Sequence, residues 1–122
     1  MNPIPTDIKQ RVCIYALNVI KLLDKLDGAD SSAQVIARQL LRSATSIGAN
    51  VIEAQAGSSR KDFANFLSHA LKSANESKFW LSLLRDTDKA DQAVTGQLLQ
   101  ETKELANILA SSVLTLKGKK QF

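Results

Sequence analysis

The chain has 122 residues, 44% of them hydrophobic and 23% charged, with a formal net charge of +4. That length supports a single domain over residues 1–122 that buries roughly two-thirds of its unfolded surface, and the composition is that of an ordinary soluble globular protein. No uninterrupted apolar stretch is long enough to span a bilayer, and Met1–Asp7 has neither a basic start nor an apolar run, so no membrane association and no signal peptide are expected. A lone cysteine, Cys13, cannot form an internal disulfide, which fits the cytoplasm.

Both prolines, Pro3 and Pro5, precede the first periodic segment, and an interior free of proline and poor in glycine favours helices. The first helix is predicted over residues 6–26. Ile8, Val12, Tyr15, Val19, Leu22 and Leu26 recur at steps of four and three, the spacing of a bundle seam. Thr6 or Asp7 can cap its first turn, and Gly28 is positioned to end it. At about 100° per residue, Cys13, Leu17 and Ile20 point away from the seam, so a second surface must cover them.

The second helix is predicted over residues 31–56, opened by a capping box of Ser31 and Gln34 and closed by Gly57. Its seam is Ile36, Leu40, Ala44, Ile47, Val51 and Ala54. Beside the seam runs a polar stripe of Gln39, Ser43, Ser46, Asn50 and Glu53, with Arg38 and Arg42 further out. Gly48 costs about 1 kcal/mol relative to alanine in a helix, so a close backbone approach is expected there. The third helix, residues 59–85, starts on Ser59 and Asp62 and carries a seam from Phe63 to Leu84, flanked by Phe66 and Trp80. Phe79 and Leu83 project to nearly the opposite side. The fourth, residues 91–117, turns Val94, Leu98, Leu105, Ile108, Leu109, Val113 and Leu116 inward, with Asp88 as a candidate cap and a frayed tail from Gly118 to Phe122. Four helices of roughly 30 Å joined by short loops imply an all-α, antiparallel up-down four-helix bundle. Cys13, Leu17, Ile20, Phe79 and Leu83 are then candidate contacts of a homo-oligomer.

Chemistry is sparse. His69, the only histidine, has no Cys, His or carboxylate at metal-ligand spacing, Cys13 has no nearby base in sequence, and no phosphate-binding glycine loop occurs. Neither a catalytic residue nor a metal or cofactor is expected. The Ser43, Ser46, Asn50 and Glu53 stripe has two readings: a polar network that fixes helix register, or a site for a small ligand or backbone phosphate. Arg38, Arg42, Arg60 and Lys61, with Lys117, Lys119 and Lys120 in the tail, could neutralise several phosphates of RNA or DNA if an oligomer aligned them. No aromatic residue interleaves them as a stacking platform, so such binding would be non-specific and salt-sensitive.

The central stretch resembles the four-helix-bundle family of proteins encoded in intervening sequences of bacterial 23S rRNA genes. The resemblance rests on Arg42-Ser43, Ser46, Gly48-Ala49-Asn50 and Glu53, then Glu53-Ala54-Gln55-Ala56, Ser59 to Phe63, Ala70-Leu71-Lys72, Glu76 and Phe79-Trp80-Leu81. The segment Glu104–Lys117 is similar to the family's closing helix. Ile52 and Ala54 depart from the commoner branch, which has alanine before the glutamate and glycine after it. The resemblance implies a homopentamer without known catalytic activity. Related accessory proteins of diversity-generating retroelements are basic pentameric barrels that bind nucleic acid and a reverse transcriptase, which makes those two candidate partners. A protein-binding adaptor without a nucleic-acid role is the alternative.

Overall fold

The computed structural model describes residues 4–57 and 59–118. These form four helices, α1 (Ile8–Leu23), α2 (Ser31–Ala56), α3 (Arg60–Asp86) and α4 (Gln92–Leu116), with no strand among the described residues. Each helix packs against its chain neighbours, and α4 closes back on α1. Ser43 meets Ser77 and Ser46 meets Ser73, so residue numbers rise on α2 as they fall on α3 and the two run antiparallel. The predicted α2 seam is buried throughout, from Ile36 to Ala54. The core continues through Val12, Tyr15 and Val19 of α1, Leu67, Ala74 and Leu81 of α3, and Leu105 and Leu109 of α4. Burying each large aliphatic side chain contributes about 1.5–3 kcal/mol.

The helix ends differ from expectation in instructive ways. The first helix stops at Leu23, three residues short, because Lys25 and Leu26 turn to bond the carbonyls of Leu22 and Leu23. Leu26 still packs on the core from this tighter turn, which explains why the apolar spacing outruns the helix. Gly28 plays no part in the ending, and Asp7 occupies the N-cap without a side-chain bond. Asp30, not Ser31, caps α2: its carboxylate accepts the Ala33 N–H at 3.0 Å, and Gln34 reaches back to the Asp27 carbonyl instead. Gly57 follows α2 in an extended conformation (φ −66°, ψ 148°). Ser59 caps α3 as expected, accepting the Asp62 N–H.

Asp88 is not the cap of α4. It has φ 55° and ends α3, with the Lys89 N–H on the Leu84 carbonyl and the Asp88 N–H on the Arg85 carbonyl, the paired bonds of a Schellman turn. The cap of α4 is Asp91, which accepts the Val94 N–H at 2.9 Å. Gly118, at φ 74°, ends α4 in the left-handed conformation that glycine adopts without strain. The rest of the predicted tail, residues 119–122, lies outside the described residues.

Gly48 faces Val12, but a methyl group there would meet its side chain at 3.5 Å, an ordinary contact, so the expected close approach is not found. Val94 is exposed at 36% rather than inward, because it sits where α1 and α4 diverge. Leu83 is half-buried against the core rather than projecting outward, while Phe79 is 55% exposed and meets Trp80 edge-on.

Candidate functional site

The polar stripe of α2 faces α3 and is joined to it by two lanes of hydrogen bonds. In the inner lane, Ser43 and Ser77 are both fully buried with hydroxyls 2.9 Å apart. Ser77 commits its single proton to the Ser73 carbonyl, so Ser43 is the donor between them. One turn along, Ser73 donates to the Ser46 hydroxyl at 2.9 Å, and the Asn50 amide donates to the carbonyl and hydroxyl of Ser46. In the outer lane, Arg42 donates to the Gln39 side chain and pairs with Glu76, which also accepts the Trp80 indole N–H at 2.9 Å. Glu53, the last member of the stripe, is exposed and makes no bond among the described residues.

A second polar junction was hidden in the sequence. Tyr15 is 1% exposed, and its hydroxyl lies 2.7 Å from that of Thr102, joining α1 to α4. Thr102 spends its proton on the Leu98 carbonyl, which makes Tyr15 the donor. Burial pushes the Tyr15 phenol up to about 12, despite the opposing effect of the Thr102 and Ser77 hydroxyls. The signal was available: Thr95 and Thr102 stand seven residues apart on the inward face of α4, where both are buried. Every buried side-chain nitrogen and oxygen among the described residues has a partner. The inner lane is therefore saturated by its own members.

Ionic ties complete the frame. Arg11 grips Glu101 with two nitrogens, at 2.7 and 3.1 Å, and reaches Glu104 at 3.0 Å, clipping α1 to the middle of α4. Those hydrogen bonds raise the Arg11 pKa; Glu104 is lowered by Gln100 and then by Arg11. Lys89 bonds Asp30 at 2.6 Å, tying together the two loops at one end of the bundle and lowering the Asp30 carboxyl to about 2.

The basic residues do not gather as one patch. Arg60, Lys61 and Lys117 meet at the end where α3 begins and α4 finishes, with the Arg60 Nε donating to the Leu116 carbonyl at 3.2 Å. Arg38 and Arg42 lie along α2, with Arg42 about 22 Å from that end by helix rise, and Arg42 is occupied by Glu76. Arg38, Lys61 and Lys117 are exposed; Lys119 and Lys120 lie outside the described residues.

The outer side of α1 is apolar. Cys13, Leu17 and Ile20 are exposed there, joined by Ile14, which the spacing did not single out. Leu41 and Ile52 of α2 are also exposed, and their spacing from Gly48, which touches Val12, puts them on the flank nearest α1. His69 is exposed on α3, and no group of His, Cys, Asp or Glu among the described residues could hold a metal ion. No helix among them is long and apolar enough to cross a membrane.

Four helices packed in this order define an all-α helical-bundle protein. Within that class, the chain belongs to the family of 23S rRNA-intervening sequence proteins, which it matches over residues 6–111. It is similar to a crystal structure from Bacteroides thetaiotaomicron, a protein of unknown function from the S23 ribosomal protein family. The two are 35% identical, with a TM-score of 0.80 over 87% of this chain and 97% of that one. No curated protein matches the chain.

Proposed function

We propose that the protein is a non-enzymatic, cytoplasmic scaffold that assembles with copies of itself and presents its basic residues to RNA or DNA. The observation that carries this is the continuous apolar flank of α1 and α2, where Ile14, Leu17, Ile20, Leu41 and Ile52 all stand in solvent in the single chain. Exposed apolar patches of this kind mark association surfaces, and closed symmetric rings are the usual way to bury identical ones. The family resemblance favours five copies. Arg38, Lys61 and Lys117, which make no ion pair among the described residues, are the cations left for phosphate, repeated around the ring by symmetry.

Light scattering tests the assembly: the expected mass is five times the 13.3 kDa chain, and Leu17→Asp should release monomers. A monomeric wild type overturns the proposal. A salt series tests the second part. Affinity for single-stranded RNA should fall steeply between low and high salt, and more gently in Lys61→Ala/Lys117→Ala. The occupation of Arg42 by Glu76 and of Arg60 by the end of α4 favours the other reading, a protein-binding adaptor. That reading prevails if RNA binding is absent or insensitive to salt.

A further inference from the structure

Where α1 and α4 diverge they leave a groove of about 760 Å³, running along the second half of α1 and the first turns of α4. Its floor is apolar, built from Leu22, Leu26, Ala90, Val94 and Leu98. Its walls carry opposite charge, with Lys21 and Lys25 on α1 facing Asp91 and Glu101 on α4. The acidic wall is already engaged: Glu101 holds Arg11, and Asp91 caps α4. Lys21 and Lys25, four residues apart on one rim, have no ion pair or hydrogen bond among the described residues. The unspent valences of the groove are thus two ammonium groups spaced by one helical turn.

We propose that this groove docks an acidic amphipathic helix of a partner protein. From Ile14 to Leu26 it runs about 18 Å, room for some three turns of helix. An apolar stripe at helical spacing would cover the floor, and carboxylates four residues apart would pair with Lys21 and Lys25. Nucleic acid is disfavoured by the carboxylates of the α4 wall and the apolar floor. A second copy of this chain is disfavoured too, because its exposed α1 ridge is flanked by Lys9, Lys21 and Lys25 and would set like charges together. The proposal holds whatever the oligomer number, since it uses a different surface from the α1–α2 flank.

The test uses the full chain and two fluorescein-labelled model helices with the same leucine stripe, one flanked by glutamates and the other by lysines. Anisotropy should show the glutamate helix binding roughly tenfold tighter, with the preference reversed in Lys21→Glu/Lys25→Glu. Val94→Arg, at an exposed floor position, should abolish binding of both while leaving the helical circular dichroism intact. Equal affinity for the two helices, no binding of either, or indifference to Val94→Arg overturns the proposal. So does a change in oligomer mass in Lys21→Glu/Lys25→Glu, which would assign the groove to a second copy.

Discussion

The two seams that matter most, α2 against α3 and α4 against α1, are built on different principles. The α2/α3 seam is close-packed, with small residues such as Ser43, Ala74 and Ser77 allowing the helices together and hydroxyls zipping the contact. The α1/α4 seam is joined at points, by Tyr15 with Thr102 and by Arg11 with Glu101, and then opens into the groove. Small residues buy contact area at the first seam. At the second, large residues and charged clips hold a shorter helix in place while leaving a surface free. A bundle can thus be rigid along one edge and receptive along another.

The largest effect should come from identical truncations on either side of this contrast. Leu67→Ala removes a fully buried side chain on α3 and should cost about 3–5 kcal/mol in urea unfolding. Leu22→Ala, on the floor of the groove, should cost only about 2 kcal/mol, because the space it vacates opens to solvent. Equal losses would show that the groove is closed in solution.

Tyr15→Phe should cost about 1 kcal/mol at neutral pH, the value of one hydrogen bond. Its pH signature is more specific. The folded phenol is raised from 10.0 to about 12, so the folded state resists ionisation, and stability should fall as pH rises from 10 towards 12. That alkaline loss should be weaker in the phenylalanine variant, as read by thermal melts across the range. Gly48→Ala should work in the other direction. The methyl meets Val12 at an ordinary distance, so the gain should be up to about 1 kcal/mol from helix propensity alone, seen as a raised melting temperature.

The smallest effect belongs to the loop tie. Asp30 is lowered from 3.8 to about 2, chiefly by Lys89, so its contribution is present above pH 3.8 and disappears as pH falls towards 2. Lys89→Ala should leave a shallower acid limb in the stability profile with little change in the helices by circular dichroism. An unchanged limb would show that the pair does not form in solution.

The number of helices and most of the core were legible from spacing, because a buried stripe repeats every three or four residues whatever the partner. Leu83 escaped that logic: its angle on α3 points away from the seam, yet a long side chain can lean back onto the core. Tyr15 and Thr102 were each visible but not as a pair, since nothing local records a bond across 87 residues. The division of the basic residues was hidden for the same reason. Arg60 follows Arg42 closely in sequence, but the turn between α2 and α3 sends it to the far end of the bundle, against the last carbonyls of α4. Helix ends were least legible where two candidates competed, as with Asp30 and Ser31, because both can accept the same backbone proton.

The chain has one tyrosine and one tryptophan, and each sits on a different seam. Tyr15 is buried between α1 and α4, whereas the indole of Trp80 is tied to Glu76 beside α2 and touched edge-on by Phe79 at 4.8 Å. The protein therefore carries two native optical probes that report on separate halves of its architecture. Near-ultraviolet signals of the phenol and emission of the indole should trace α1 release and α2/α3 separation independently, with no label attached. Coincident transitions would mean that the whole bundle opens as one cooperative unit; a leading phenol signal would mean that α1 detaches first.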